Sequence, residues 1–371
     1  MSKSQQIKIE NSNLCALSVS AIVDSISTLI SNAIENKVPF KNIPAVMLWG
    51  MPGVGKSQAV RQIANAVSLR SGKLPKVTDV RLLLFNPIDL RGIPVADVTK
   101  SFAVWLKPKI FDMDPSDDVV NFLFLDEISS APPSVQASAY QITLDRVIGE
   151  HRLPDNCYVI CAGNRTTDRS VAYKMPKALA NRLCHFMVET DFTGWKRWAE
   201  TNDIDYRVIN FLSSRHDLLS SFDANSDDVA FATPRSWEMV SSILTTGNFS
   251  DIKKCFPLIA GLVGTGVATE FVAWCNTHAY IPDIESIVKG NAPFVPNTTD
   301  GVYATIQVML HYAKTHRNDD EGIENMIEYA QRFSPDFTST FYKSLGYIDK
   351  SFLLRRSVSD WVKTHSRYFH S

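Results

Sequence analysis

The sequence reads Val46-Met47-Leu48-Trp49-Gly50-Met51-Pro52-Gly53-Val54-Gly55-Lys56-Ser57, and its last eight residues fit the pattern G-x-x-x-x-G-K-[ST]. The apolar run before the first glycine predicts a short buried strand. After Ser57, apolar residues recur at helical spacing as far as Val67, which predicts a helix. A strand, a glycine-rich loop and a helix in this order indicate a phosphate-binding loop.

The residue types in this loop suit phosphate chemistry. Glycines let backbone N–H groups turn towards an anion, and the amino terminus of the following helix adds its unpaired N–H groups and its positive dipole end. Lys56 would meet the β- and γ-phosphates, and the Ser57 hydroxyl would ligate Mg²⁺. The alternative is a glycine-rich turn that binds nothing.

A second signal is the apolar run from Val119 to Leu125, which ends on Asp126 and Glu127. Such a continuous run predicts a strand buried on both faces, as in a parallel sheet, and ligands of such sheets lie beyond the carboxyl ends of the strands. We expect Asp126 to hold Mg²⁺ through water and Glu127 to orient the attacking water. Read alone, the same pattern also fits an ordinary strand end.

Residues 157–163 predict another buried strand, which ends on Asn164. This amide is a candidate to hydrogen-bond the attacking water. Arg182 precedes a last strand and cannot easily fold back to its own phosphates, so we expect it to act on a neighbouring subunit, where such an arginine is worth about 10³-fold or more in rate. A surface arginine at a helix carboxyl terminus is the alternative. Arg235 begins a later helix, where a cation opposes the dipole and calls for an anion such as the γ-phosphate.

Composition sets the wider limits. The 371 residues carry 38 basic and 39 acidic side chains, which gives no overall bias towards nucleic acid or anionic membranes. The six cysteines form no C-x-x-C pair, the first 13 residues lack the apolar core of a signal peptide, and no membrane span is predicted, so we expect a cytoplasmic protein. Strand patterns stop near Thr193, which predicts an α/β domain at 1–192 with an N-terminal helix and an all-helical part at 193–371.

With these motifs in place the chain resembles the AAA+ ATPases, and among them the MoxR-like (dynein-related) branch. Gly50–Ser57 matches the family's Walker A motif and 122–127 its Walker B motif. Asn164 falls at sensor 1, Arg182 at the trans-acting arginine finger and Arg235 at sensor 2. Residues 89–94 resemble the Asp-Leu-x-Gly signature of the branch, near inserts that face the ring pore or the substrate. The resemblance is good from about residue 41 to 244 and weak after 247.

The resemblance implies a P-loop αβα sandwich with a parallel sheet, followed by an all-α lid and a C-terminal helical extension. It implies ATP and Mg²⁺ as ligands, assembly into hexameric rings, remodelling of client proteins and a partner with a von Willebrand factor A domain. The expected contacts to nucleotide or metal are Gly50, Pro52, Gly53, Val54, Gly55, Lys56, Ser57, Gln58 and Asp126.

The chain departs from the family at two points. Arg165 stands where many relatives have proline, and Leu183 follows Arg182 where many have phenylalanine. Arg146, Arg165 and Arg169 therefore compete with Arg182 for the interfacial role. Two other functions stay open: a binding module that uses nucleotide only to set its assembly state, and a nucleic-acid motor, which the neutral charge balance disfavours.

Overall fold

The protein is described from a computed structural model that covers residues 14–165, 173, 175–247, 252–278, 281–282, 284–291 and 293–369. Arg169 lies outside these residues. The described chain forms two compact units. Among the described residues, the first unit contains the parallel sheet and lies within 1–195, 220–229 and 233–235. The second unit is helical in its described residues and lies within 196–219, 230–232 and 236–371. The division into domains at 1–192 and 193–371 stays a prediction.

The first unit is built on six parallel strands. They are β1 (Cys15–Ser18), β2 (Ala45–Trp49), β3 (Leu74–Arg81), β6 (Val119–Asp126), β9 (Cys157–Gly163) and β10 (Leu183–Glu189), and their order across the sheet is β1-β10-β2-β9-β6-β3. Two small antiparallel hairpins accompany them: β4 (Ile93–Ala96) with β5 (Ala103–Leu106), and β7 (Val147–Ile148) with β8 (His151–Arg152). The helices of this region are α1 (Val19–Glu35), α2 (Lys56–Ser71), α3 (Pro87–Arg91), α4 (Pro133–Asp145) and α5 (Lys177–Ala180).

Both faces of the sheet are covered, as the unbroken apolar runs predict. Because side chains alternate along a strand, Val46 and Leu48 of β2 pack with helices α1 and α2, while Met47 packs on the opposite face with α4. In β9, Tyr158 and Ile160 join the first core, and the thiols of Cys157 and Cys161 join the second. This arrangement confirms the predicted α/β sandwich with a parallel sheet.

The spacing of apolar residues predicts a helix at 14–36, a strand at 79–85 and a helix at 257–275, and all three predictions were wrong in their limits. The helix predicted from Leu14 begins at Val19, because Cys15–Ser18 pairs with β10 and the Ser18 hydroxyl accepts a hydrogen bond from Ala21 N. The strand predicted at 79–85 runs from Leu74 to Arg81, where all eight residues pair with β6. The helix predicted at 257–275 is two helices, because Gly264 lies between them at φ +85°, a backbone conformation that ends a helix.

The second half of the chain contributes helices alone among its described residues. They are α6 (Phe192–Thr201), α7 (Tyr206–Ser214), α8 (Pro234–Gly247), α9 (Phe256–Val263), α10 (Thr265–His278), α11 (Ile284–Val288), α12 (Thr299–Thr315), α13 (Asp320–Ala330), α14 (Pro335–Ile348), α15 (Arg356–Thr364) and α16 (Ser366–Phe369). Helix α14 lies in the part predicted to be all-helical but was not identified as a separate helix from the sequence. It brings Phe341, Tyr342 and Leu345 into a buried core with α13. No helix of the described residues is long and apolar enough to span a membrane.

Candidate functional site

The loop between β2 and α2 packs closely against a neighbouring segment of the same unit. Gly53 has φ +76°, and a Cβ atom added there would lie 2.8 Å from Thr233 Oγ1. Gly55 has φ +105° and precedes Lys56, the first residue of α2. Both glycines therefore have backbone conformations that residues with side chains rarely adopt, and at Gly53 Thr233 also leaves no space for a Cβ atom. Ser57 and Gln58 follow in the first turn of α2, half-buried, as the motif requires.

Lys56 is buried beneath this loop. Its Nζ donates to Gly50 O at 2.6 Å, to Met51 O at 3.0 Å and to Asn164 Oδ1 at 2.9 Å. These three acceptors are neutral oxygens, and the side chain is only 9% exposed. A phosphate oxygen would be a stronger acceptor for this ammonium group than a neutral oxygen, because its negative charge adds a Coulomb attraction.

The end of β6 supplies carboxylates to the same edge of the sheet. Ser57 Oγ donates to Asp126 Oδ2 at 3.2 Å, and Glu127 N donates to Asp126 Oδ1 at 2.8 Å. The Glu127 backbone has φ +57°, in the left-handed region that residues other than glycine seldom adopt. Residues held in such conformations cluster at functional sites. Glu127 is half-buried, directly after the strand.

Asn164 follows β9, the strand between β2 and β6. Its amide oxygen accepts from Lys56, and its backbone oxygen accepts from Ser129 Oγ at 3.0 Å. Asn164 is separated from Lys56 by 108 residues in sequence, so the strand order alone brings the two together. Two hydrogen-bonded pairs, Lys56 with Asn164 and Ser57 with Asp126, therefore lie side by side at the carboxyl edge of the sheet, since Lys56 and Ser57 are consecutive residues.

Arg182 lies at the opposite edge of the sheet. It directly precedes Leu183, which pairs with Ala45 at the start of β2, whereas the phosphate loop follows the end of β2. The five residues of β2 separate the two edges by about 16 Å at about 3.3 Å per residue. The Arg182 side chain is exposed. The structure thus does not bring Arg182 to the phosphate loop of its own chain.

The remaining arginines have different surroundings. Arg235 is exposed and begins α8 two residues after Thr233, the residue packed on Gly53. Arg165 is half-buried beside Asn164. Arg146 is 8% exposed and donates from Nη2 to Ile43 O at 3.1 Å, so it is a poor candidate to reach out to another chain.

Sequence reasoning missed Asp79 of β3, two residues before the end of that strand. Although Asp79 is exposed, desolvation, and then the charge of Asp126, raise the pKa of its carboxyl above 3.8. Arg81 and Arg61 act in the other direction. A strand predicted to begin at Asp79 placed this carboxyl at the wrong edge of the sheet, and the correct strand limits would have identified it.

A second missed contact links the strand of the phosphate loop to the segment that carries Arg182. Trp49 Nε1 donates to His185 Nδ1 at 2.9 Å, and His185 Nε2 donates to Ala180 O at 2.7 Å. Because Nδ1 accepts a hydrogen bond and Nε2 donates one, the imidazole is neutral in this arrangement. Nothing in the sequence pairs these two residues, which are 136 positions apart.

The oxygen atoms at this edge suit Mg²⁺. A hydroxyl and a carboxylate are hard ligands, and Mg²⁺ in nucleotide sites takes one or two protein ligands and keeps several waters. The hydrogen bond between Ser57 and Asp126 joins one ligand of each kind. Within the described ranges, no group of three or more His, Cys, Asp or Glu side chains could hold a metal ion.

Two comparisons by sequence found relatives. The profile of the ATPase family associated with various cellular activities (AAA) matches residues 45–187. The chain is also similar to the chaperone MoxR1 of Mycobacterium tuberculosis, with 26% identity over 166 residues, which are 44% of this chain and 40% of that protein. The chain thus spans about two fifths of the length of the curated relative that it matches.

Comparison with solved structures found PCH-2 of C. elegans, at 16% identity, covering 72% of this chain and 70% of that chain, with a TM-score of 0.36. Another is a chain of the E. coli MS115-1 HORMA:CdnC:Trip13 complex, at 15% identity, covering 70% of this chain and 88% of that chain, with a TM-score of 0.38. TM-scores this low do not establish a common fold over the whole chain. The strand order of the sheet remains the basis of the fold assignment.

Proposed function

The chain carries a MoxR-like AAA+ ATPase domain, and from that premise we propose that it binds ATP with Mg²⁺ and hydrolyses the terminal phosphate. One observation carries the proposal: the consecutive residues Lys56 and Ser57 after the phosphate loop form hydrogen bonds to Asn164 and Asp126, which follow or end two neighbouring strands. Because phosphate loop, carboxylate and amide lie at one edge, a nucleotide bound there would contact all three.

Each side chain then has a defined task. Lys56 would transfer its hydrogen bonds from loop carbonyls to phosphate oxygens, which releases Asn164 to hold the attacking water. Glu127, fixed by its left-handed backbone, would orient that water and accept its proton. Ser57 and Asp126 would hold Mg²⁺, directly and through water respectively. Bound there, the ion would neutralise charge that develops on the phosphates.

Substitutions at Lys56 and Glu127 separate binding from hydrolysis. We expect Lys56→Met to abolish binding of a fluorescent ATP analogue, and Glu127→Gln to retain binding while lowering turnover at least about 10²-fold, the usual worth of a positioned base. Glu150→Gln, at an exposed turn in the same unit, is the matched control. Wild-type turnover by Glu127→Gln would refute the assignment of Glu127. Binding with no turnover even in the wild type would favour the nucleotide-dependent binding module.

We also propose that Arg182 acts on the site of a neighbouring copy in a ring, which the resemblance suggests is a hexamer. Its exposure and its place at the edge opposite the phosphate loop support action between chains. Mixing two inactive variants tests this. Arg182→Ala keeps an intact phosphate loop and Glu127→Gln keeps an intact arginine, so mixed assemblies contain some complete sites and should regain turnover. No recovery on mixing would refute action in trans.

We also propose that the ATPase remodels a client protein. The resemblance implies that it works with a partner that carries a von Willebrand factor A domain. The β4–β5 hairpin supports a protein contact, because Ile93, Val98 and Phe102 are 61%, 102% and 74% exposed. The Glu127→Gln variant, loaded with ATP, should retain the partner during co-purification. Phe102→Ser should lower the amount recovered, whereas Leu69→Ser, at an 89% exposed leucine of α2, should not. Equal recovery from both would refute the role of the hairpin. The cytoplasmic location and the lack of a nucleic-acid partner stay predictions.

A further inference from the structure

A cavity of about 320 Å³ lies at the amino-terminal edge of the sheet. Residues 41–45, the end of helix α4 (143–146) and Arg182 line it. Since Ala45 starts β2 and the phosphate loop follows the end of that strand, the cavity is separate from the nucleotide site.

The charges around the cavity are mostly positive. The lining contains three basic side chains, those of Lys41, Arg146 and Arg182, and one carboxylate, that of Asp145. Lys41 also pairs with Asp155 at 3.2 Å, but both side chains are more than half exposed, and such surface pairs contribute little. An anion entering the cavity would therefore meet a net positive field.

Arg146 provides an independent observation. The residue is more than nine-tenths buried, and within the described part of the chain its Nη1 atom has no hydrogen-bond partner. A buried donor without an acceptor is costly, and a charged donor more so. The backbone adds strain, because Arg146 has φ +55°.

The neighbours of Arg146 do not balance its charge. Burial is the main cause that lowers the pKa of Arg146, and the ionisable groups that act on it are Cys157, Tyr158 and Cys161. Burial raises the pKa of both thiols to about 12 and raises the pKa of the Tyr158 phenol as well, so all three are neutral at pH 7. The guanidinium is thus held in the protein without an internal counter-ion among these groups.

We propose that this cavity is a second anion site, in which Arg146 and Arg182 bind an oxyanion of the phosphate class. The fork of N–H donors on a guanidinium matches two oxygens of such an anion, and two guanidinium groups match its two negative charges. The ligand is a free oxyanion such as inorganic phosphate, because Arg146 is too buried to reach a nucleotide held by another chain. This site goes beyond the proposed function.

The test is equilibrium dialysis of labelled inorganic phosphate against the Lys56→Met chain, in which the phosphate loop is disabled. We expect one phosphate per chain, bound in competition with sulfate and not with chloride at equal ionic strength. Arg146→Met in this background should weaken binding at least about tenfold, because a hydrogen bond to a charged group is lost. Arg152→Gln, at an exposed arginine outside the cavity lining, should leave binding unchanged.

Folding of the variant is checked by thermal unfolding without phosphate. Replacing a buried, unbalanced cation by an apolar side chain of similar length is often neutral or stabilising, so Arg146→Met should unfold at the same temperature as its parent or higher. If Arg146→Met fails to fold, Arg182→Gln at the exposed arginine gives the same comparison. No phosphate binding by the Lys56→Met chain, or undiminished binding after removal of either arginine, would overturn the proposal.

A failure of ATP hydrolysis would leave the dialysis result unaffected, so the anion site and the proposed function can fail independently.

Discussion

Gly53→Ala is the substitution whose cost follows most directly from the structure. Its backbone has φ +76°, and the added methyl group would lie 2.8 Å from Thr233 Oγ1 and 2.9 Å from Thr233 Cβ. The left-handed conformation costs about 1–2 kcal/mol for a residue with a side chain. The overlap with Thr233 adds about 1–3 kcal/mol, as overpacking of a filled site does. We therefore expect the free energy of unfolding to fall by about 2–5 kcal/mol.

Gly72→Ala is the matched control, because Gly72 has φ +71° and an added Cβ would meet nothing within 4 Å. It should show the cost of the conformation alone, about 1–2 kcal/mol. In a thermal unfolding scan the two variants should differ by about 2–4 °C for each kcal/mol of the additional overlap. A nucleotide-binding assay gives a second comparison, since Gly53→Ala should weaken binding at least about tenfold and Gly72→Ala should not.

A double-mutant cycle assigns the difference to Thr233. Thr233→Ala removes Oγ1 and Cγ2, two of the three atoms nearest the added Cβ, and keeps Cβ at 2.9 Å. Gly53→Ala should therefore cost less in that background, though part of the overlap stays, with a coupling energy of about 0.5–3 kcal/mol. The reasoning is refuted if Gly53→Ala and Gly72→Ala unfold at the same temperature, or if the cycle shows no coupling.

Three further predictions concern other parts of the first unit. Because the folded chain raises the pKa of Asp79 above 3.8, the ionised carboxyl costs stability at neutral pH, and this cost is absent below pH 3.8, where the carboxyl is protonated in both states. Asp79→Asn should thus raise the free energy of unfolding by less than about 1 kcal/mol near pH 7 and by nothing near pH 3, measured in urea. A gain at both pH values would contradict the raised pKa of Asp79. Trp49→Phe removes the donor to His185 and should lower stability by about 1 kcal/mol, seen as a thermal shift of about 2–4 °C, whereas no shift would show that the hydrogen bond adds nothing net. In the native chain an alkylating reagent should modify the exposed thiol of Cys15, and rapid labelling of the buried thiols would contradict their positions in the core. The buried thiols are those of Cys157, Cys161, Cys255 and Cys275.

The elements that the sequence predicted well are those whose signal is continuous along the chain. The apolar run before Gly50 and the run before Asp126 identified β2 and β6, because a strand covered on both faces needs apolar side chains at every position. The predicted limits of β3 were wrong because its residues from Leu74 to Arg81 are mostly exposed and mix apolar with polar side chains, so they form no continuous apolar run. Only the pairing with β6 defines the limits of this strand. Asp79 was overlooked as a consequence.

The sequence by itself determined the phosphate loop and the carboxylates of β6, because each is a contiguous motif whose chemistry depends on residues close in the chain. Only the tertiary structure decided which distant residues join them. The order β1-β10-β2-β9-β6-β3 brings Asn164 to Lys56 and puts Arg182 at the far edge, since the hydrogen-bonded pairing of strands depends on contacts between residues far apart in sequence. The same packing buries Arg146, whose residue type would favour the surface, and so creates a charged cavity that no local pattern predicts.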